Sequence, residues 1–150
     1  MSLDRIDVGR VLIIGVGNRQ RGDDGVGPVL IDRLSSAGFT NILDAGTVPE
    51  NYTKYIVQYC SDTIIIVDAL SFGRQPGEWK IFTPDECNEY GFSTHNASLS
   101  LFASYIRQNI HAKIFIIGIQ PATTEFHIGL SLELEQSVRQ LVKELSLYSS

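Results

Sequence analysis

The fold is decided by residues 11–34, which read VLIIGVGNRQRGDDGVGPVLIDRL. Four consecutive apolar residues open this stretch, a pattern typical of a strand buried on both faces. A glycine-rich loop follows, and Pro28 then stands where the first turn of a helix tolerates it. Val29, Leu30 and Leu34 continue at helical spacing. The stretch therefore predicts a loop that joins the carboxyl end of a buried strand to a helix, where ligands bind in open α/β sheets.

The glycines of this loop match neither common nucleotide-binding pattern. Gly15 and Gly17 begin a dinucleotide fingerprint, but Gln20 occupies the position of its third glycine. A P-loop would need Lys and then Ser or Thr where Asp23 and Asp24 stand. Two carboxylates at a helix start would repel a phosphate. They suit a cation better, although helix capping is the simpler role for either one.

Composition and charge narrow the class of protein. With 150 residues, 43% of them hydrophobic and 19% charged, the chain is expected to form one globular domain over residues 1–150. A net charge of -5 gives no basic surface for nucleic acid. No apolar run reaches membrane-spanning length, and the first ten residues lack the apolar core of a signal peptide. Cys60 and Cys87 fit reduced thiols, so we expect a cytoplasmic protein.

Four more strands are predicted after the first helix. They cover residues 41–45, 63–67, 79–82 and 113–119. The connection from the third to the fourth strand is too short for a helical crossover, so we expect the fourth to run antiparallel beside the third. Buried strands that alternate with amphipathic helices predict an α/β sandwich with a mostly parallel sheet.

The helices are predicted from apolar spacing and capping residues. They cover residues 50–59, a short segment from Pro84 with Thr83 as its cap, residues 96–110, and a closing helix capped by Ser131. The helix over residues 96–110 is expected to bury Leu101, Phe102, Tyr105 and Ile106. The closing helix is expected to bury Leu134, Val138, Leu141, Val142 and Leu145.

Acidic residues and one histidine are predicted to meet at the carboxyl edge of the sheet. If the first and third strands are parallel, Asp23 and Asp24 lie at the same edge as Asp68, which closes the run TIIIV. An aspartate there is costly unless it is exposed, hydrogen-bonded or bound to a cation. His95 lies in a loop before a helix. Each residue alone could be a turn or helix-end residue, but two carboxylates and an imidazole together suit nickel or zinc, with positions left for a substrate.

The motifs GVGNRQRGDDGVGP, IVDA, STHN, GIQP and HIGLS, in this order and spacing, resemble the hydrogenase maturation endopeptidases. These proteases trim the C-terminal extension from nickel–iron hydrogenase large subunits. The resemblance runs from Val11 to about Leu145. It implies a three-layer α/β/α, phosphorylase/hydrolase-like fold. The five-stranded, twisted sheet would have the order 2-1-3-5-4, with the fourth strand antiparallel and beside the fifth. VPEN and GIQP resemble the branch that serves formate-hydrogenlyase-type hydrogenases.

The resemblance also implies which residues act. Asp24, Asp68 and His95 fall on the family's metal-binding residues, and the same three are expected to be catalytic. Asp23 is expected to cap the helix or orient the loop. The metal is nickel that the large-subunit precursor supplies, and no nucleotide cofactor is implied. The nickel could polarise the scissile carbonyl, activate a water or serve only recognition, and Asp24 could be a general base. A monomer without nucleic-acid or membrane partners is expected.

Other motifs leave two alternatives. The chain has neither a GxSxG elbow nor HExxH, and neither cysteine is in a setting that lowers a thiol pKa. The resemblance implies an aspartyl-endopeptidase-like enzyme, which is consistent with these absences. The alternatives are a nickel-binding maturation factor that does not cleave, and a nucleotide-binding Rossmann-like enzyme. Glu125 and His127, near HIGLS, are given no role, and His127 is expected to be a loop residue with backbone partners.

Overall fold

A five-stranded sheet forms the centre of the protein. The computed structural model describes Leu3 and residues 9–87 and 96–149. The strands are β1 (Val11–Val16), β2 (Ile42–Gly46), β3 (Thr63–Ala69), β4 (Trp79–Phe82) and β5 (Lys113–Ile119). The order is β2-β1-β3-β5-β4, with β4 antiparallel and the other pairings parallel. The predicted order and direction of the strands are confirmed.

The position of β4 corrects the expectation drawn from the length of its connection. β4 pairs with β5, Ile81 opposite Ile117, and not with β3. Both edges of β3 already carry parallel partners, because β1 pairs along one edge and β5 along the other. The fourth strand therefore cannot pair with β3 and lies beyond β5, as the family resemblance implied.

Helices cover both faces of this sheet. On one face, α1 (Val26–Ser36) and α5 (Leu132–Leu145) pack on Ile13, Ile65 and Ile117. On the other face, α2 (Thr53–Tyr59), α3 (Pro84–Cys87) and α4 (Asn96–Asn109) pack on Ile14, Ile64 and Ile66. We call these the α1/α5 layer and the α2/α4 layer. None of the described helices is long and apolar enough to cross a membrane.

The helix ends follow the predicted capping. Ser131 Oγ accepts a hydrogen bond from the Leu134 amide at 3.4 Å at the start of α5. Thr83 and Glu86 form a reciprocal capping box, each side chain accepting from the other residue's amide at 3.2 Å. The predicted helix over residues 50–59 begins instead as a 3-10 turn, Pro49–Tyr52, before α2. The predicted core face of α5 is confirmed, with Val142 only partly buried.

The buried stripe of α4 differs from the prediction. Leu99, Phe102, Ala103 and Ile106 are buried, a set at positions i, i+3, i+4 and i+7. Leu101 is 73% exposed and Tyr105 is 50% exposed. Each precedes a buried residue and so lies about 100° around the helix from it. The prediction combined residues from two neighbouring stripes of the helix. The sheet covers only one of these stripes.

The first turn of α1 packs closely on the strand ends. A Cβ atom at Gly27 would collide with the carbonyl oxygen of Val16 and lie 2.5 Å from that of Val67. The helix can therefore approach β1 and β3 this closely only with glycine at position 27. This contact fixes the glycine-rich loop against the carboxyl edge of both strands.

We expect Gly27→Ala to lower the free energy of unfolding by about 3 kcal/mol, because backbone rather than a flexible side chain blocks the added methyl group. Gly73→Ala is the matched control. Its Cβ would meet open space, but its φ of +77° imposes strain of about 1 kcal/mol. Urea unfolding measures both variants. Equal losses would contradict close packing at Gly27.

Candidate functional site

The carboxyl edge of β1 and β3 holds the acidic residues predicted for the site. Asp23 and Asp24 lie in a 3-10 turn, Gly22–Gly25, which precedes α1 and packs against β3. Asp68 lies next to the last residue of β3, because the strand runs past it to Ala69. The structure therefore brings both segments to one edge. The third predicted residue, His95, lies outside the described residues.

The glycine-rich loop holds Asp24 by folding back on itself. Asp24 is 6% exposed, and its Oδ2 accepts a hydrogen bond from the Asn18 amide at 3.2 Å. The same amide lies 3.1 Å from the Asp24 carbonyl oxygen. A Cβ atom at Gly17, whose φ is +148°, would collide with this carbonyl. Glycine is thus required here so that the loop can close tightly around an aspartate.

Asp23 has a different role from Asp24. Its side chain is fully buried and accepts four hydrogen bonds from the segment that follows β5. The donors are the amides of Ala122 at 2.8 Å, Thr123 at 3.3 Å and Ser131 at 2.7 Å, and the Ser131 hydroxyl at 2.9 Å. Of the two roles expected for Asp23, it performs the second: it orients a loop.

Backbone hydrogen bonds also join the glycine-rich loop to the loop that follows β5. The Gly22 amide donates to the His127 carbonyl at 2.7 Å, and the His127 amide donates to the Gln20 carbonyl at 2.9 Å. His127 is therefore an exposed loop residue with backbone partners, as predicted. The exposed Glu125 donates its amide to the Thr123 hydroxyl at 3.3 Å. The two loops form one unit at the edge of the sheet.

Arg19 is a site-edge residue that the sequence reasoning missed. Its guanidinium donates to both carboxylate oxygens of Asp32, at 2.6 and 3.0 Å, and to Asp44 at 2.7 Å. The hydrogen bond to Asp32 and then that to Asp44 raise the pKa of Arg19. All three side chains are over a third exposed, so the ion pairs stabilise the fold only modestly. No sequence spacing predicts these ion pairs, because Asp32 and Asp44 lie 13 and 25 residues from Arg19 along the chain.

Asp68 is buried beside a cysteine. It is 2% exposed, and by strand alternation it shares the α2/α4 side of the sheet with Ile66. Its Oδ1 accepts a hydrogen bond from the Ala69 amide at 2.8 Å. Burial, and in second place the negative charge of Asp68, raise the pKa of the Cys87 thiol to about 11. Cys87 is therefore protonated at neutral pH and is not an activated nucleophile.

The described residues include two carboxylates of the predicted metal site. Asp24 and Asp68 offer carboxylate oxygens at one edge, and borderline divalent ions accept carboxylate and imidazole ligands. No cluster of three or more His, Cys, Asp or Glu residues that could hold an ion occurs within residues 9–87 and 96–149. These ranges contain two of the three predicted ligands.

We expect Asp23→Ala to cost about 3 kcal/mol of unfolding free energy, because it leaves several donors without their charged acceptor. Ser131→Ala removes the hydroxyl bond to Asp23 and the cap of α5, and should cost about 1 kcal/mol. Urea unfolding gives both values. Hydrogen exchange should show faster exchange at the Ala122 and Ser131 amides in Asp23→Ala. Unchanged exchange there would contradict the linking role.

We expect thiol labelling at pH 8 to modify Cys60 and spare Cys87 in the folded protein. Cys60 is exposed, whereas Cys87 is buried and its pKa of about 11 keeps it protonated at this pH. Mass spectrometry should find a single adduct, none in Cys60→Ser, and labelling of both thiols after unfolding in urea. Rapid labelling of Cys87 in the folded Cys60→Ser variant would refute this assignment.

Comparison with known proteins identifies the family. Residues 29–146 match the family described as hydrogenase maturation protease. The Hydrogenase 3 maturation protease of Escherichia coli K12 is 32% identical to this chain, and the alignment covers 89% of this chain and 87% of the E. coli protein. The crystal structure of the nickel–iron hydrogenase maturation protease HycI from Thermococcus kodakarensis superposes with a TM-score of 0.83 at 32% identity, covering 93% of this chain and 91% of that one. The hydrogenase maturating endopeptidase HybD of E. coli gives 0.74 at 26%, covering 92% and 93%. The chain therefore belongs to the hydrogenase maturation protease family and is a peptidase.

Proposed function

We propose that this peptidase removes the C-terminal extension of a nickel-loaded hydrogenase large-subunit precursor. The proposal is supported by one observation above all: two buried aspartates, from the β1–α1 loop and from β3, lie at one sheet edge in a chain of this family. The name of the E. coli relative, Hydrogenase 3 maturation protease, supports a hydrogenase as the substrate. The resemblance of the VPEN and GIQP motifs favours a hydrogenase of the formate-hydrogenlyase type.

The nickel enters with the precursor and is part of the substrate. Asp24, Asp68 and His95 offer two oxygen ligands and one nitrogen ligand, a set that suits nickel. Their binding would position the precursor so that the scissile peptide lies beside them. A divalent ion at that place can polarise the scissile carbonyl. Asp24, which is 6% exposed, can accept a proton from the attacking water as general base.

Cysteine chemistry does not compete with this proposal. Cys87 is held protonated by burial. Cys60 follows the last residue of α2 and stands shortly before β3, so it lies at the amino edge of the sheet, opposite Asp24 and Asp68. Both thiols are unpaired, which supports the expected cytoplasmic location of the protein. We propose that it works there as a monomer.

Processing of a nickel-loaded precursor tests this function. We expect the purified protein to shorten the large subunit by its extension, as measured by intact mass, and to leave a metal-free precursor unchanged. Asp24→Asn, Asp68→Asn and His95→Ala should each lower the rate at least about a hundredfold, because each removes one ligand or the proton acceptor. Glu133→Gln, an exposed acid on α5, is the control and should retain full activity.

Two outcomes would contradict the protease. An unchanged mass in the presence of a stable complex with the precursor would identify a nickel-binding maturation factor that does not cleave. Cleavage that persists in all three site variants would remove these residues from the reaction. Circular dichroism of each variant confirms that any lost activity is not lost folding.

A further inference from the structure

A groove opens between α2 and α4 on the outer surface of the α2/α4 layer. Its volume is about 450 Å³, within the range of sites that bind small ligands or single peptide side chains. Phe102 is 3% exposed and forms its floor, while Leu101 and Tyr105 are exposed. The lining residues are Glu50, Thr53, Leu101, Phe102 and Tyr105. Leu101 and Tyr105 are the α4 residues that the sequence predicted to be buried and that the sheet leaves uncovered.

The groove lies on the same side of the sheet as Asp68. Glu50 belongs to the 3-10 turn that follows the carboxyl end of β2. α4 leads into β5, which is parallel to β3, so α4 begins near the carboxyl edge and runs away from it. Leu101 stands five residues into α4, about 8 Å along its axis. An extended peptide covers this distance in about two or three residues.

The lining defines the chemistry of what binds. Leu101 and Tyr105 offer apolar walls, and Glu50 places an exposed carboxylate at the groove. No Lys or Arg in the described part of the chain forms an ion pair with Glu50. The net charge of -5 also favours a basic ligand. An apolar side chain with a basic residue beside it is therefore complementary to this groove.

We propose that the groove binds the C-terminal extension of the precursor. An apolar side chain of the extension lies between Leu101 and Tyr105, and a neighbouring basic side chain pairs with Glu50. This inference rests on the proposed function, because it assumes that a tail is cut at the nearby carboxyl edge. A groove of this size admits an extended segment and excludes the folded part of a large subunit. The groove thus helps to select the precursor by its tail.

Processing kinetics with two precursors test the apolar contact. One nickel-loaded precursor keeps its full extension, and the other has it shortened to a single residue, which spans only about 3 Å and cannot reach Leu101. We expect the double variant Leu101→Ala/Tyr105→Ala to raise KM for the full precursor about tenfold and to leave kcat unchanged. The shortened precursor should be processed equally by wild type and variant. Leu147→Ala, an equally exposed leucine near the amino edge, is the control.

A charge reversal tests the polar contact. Glu50→Lys should raise KM for the full precursor about fivefold at low salt and less at high salt, since salt screens exposed charges. Glu133→Lys is the matched control, because Glu133 is also an exposed acid in the first turn of a helix. Equal effects of the two reversals would show that only net charge matters and would overturn the assignment of Glu50.

A binding measurement separates this inference from the proposed function. A labelled synthetic peptide with the extension's sequence is titrated against the Asp24→Asn protein, with fluorescence anisotropy as the readout. Binding that Leu101→Ala/Tyr105→Ala weakens about tenfold supports the groove even if wild type cleaves no precursor. Binding unaffected by this pair would overturn the groove. So would a wild-type dimer, seen by light scattering, that the pair dissociates while processing of the full precursor stays unchanged.

Discussion

Asp23 places a negative charge in the interior of the protein, and four hydrogen-bond donors from the segment after β5 surround it. A buried carboxylate is expensive unless its oxygens are satisfied, and three backbone amides and a hydroxyl satisfy them here. The same Ser131 hydroxyl that donates to Asp23 caps α5. One buried charge thus fixes the glycine-rich loop, the loop after β5 and the start of the closing helix relative to one another. The position of Asp24, the next residue, depends on this arrangement.

The glycines of the first loop serve packing of the backbone. Gly17 lets the chain pass the Asp24 carbonyl, and Gly27 lets α1 approach the ends of β1 and β3. In nucleotide-binding loops, glycines bring backbone amides to a phosphate. Here the glycines let parts of the protein's own backbone lie close to one another, so the loop folds tightly around the Asp24 carboxylate.

Much of the fold could be predicted because strong local signals agreed with the tertiary structure. All five strands were predicted, β1 and β3 from continuous apolar runs, and the caps Thr83 and Ser131 were predicted correctly from residue type and position. The exposure of Leu101 could not be predicted, because the apolar spacing of α4 fits two neighbouring stripes and only tertiary packing selects one. The sequence limited the role of Asp23 to helix capping or loop orientation. It could not decide between them, because the hydrogen-bond donors to Asp23 lie about a hundred residues away. No sequence motif marked Arg19 as part of the site, because Asp32 and Asp44 come together around it only after α1 and β2 have packed.

The order of the strands has a consequence for biosynthesis. β3, at the centre of the sheet, pairs with β1 and β5, and the donors to Asp23 come from residues 122–131. Contacts between such distant segments make folding slow relative to helical proteins of the same size. On the ribosome, β3 emerges with one edge unpaired until β5 has been made. The glycine-rich loop therefore acquires its final shape only after residues 122–131 have been made, and chaperone protection of the nascent chain would matter most before that point.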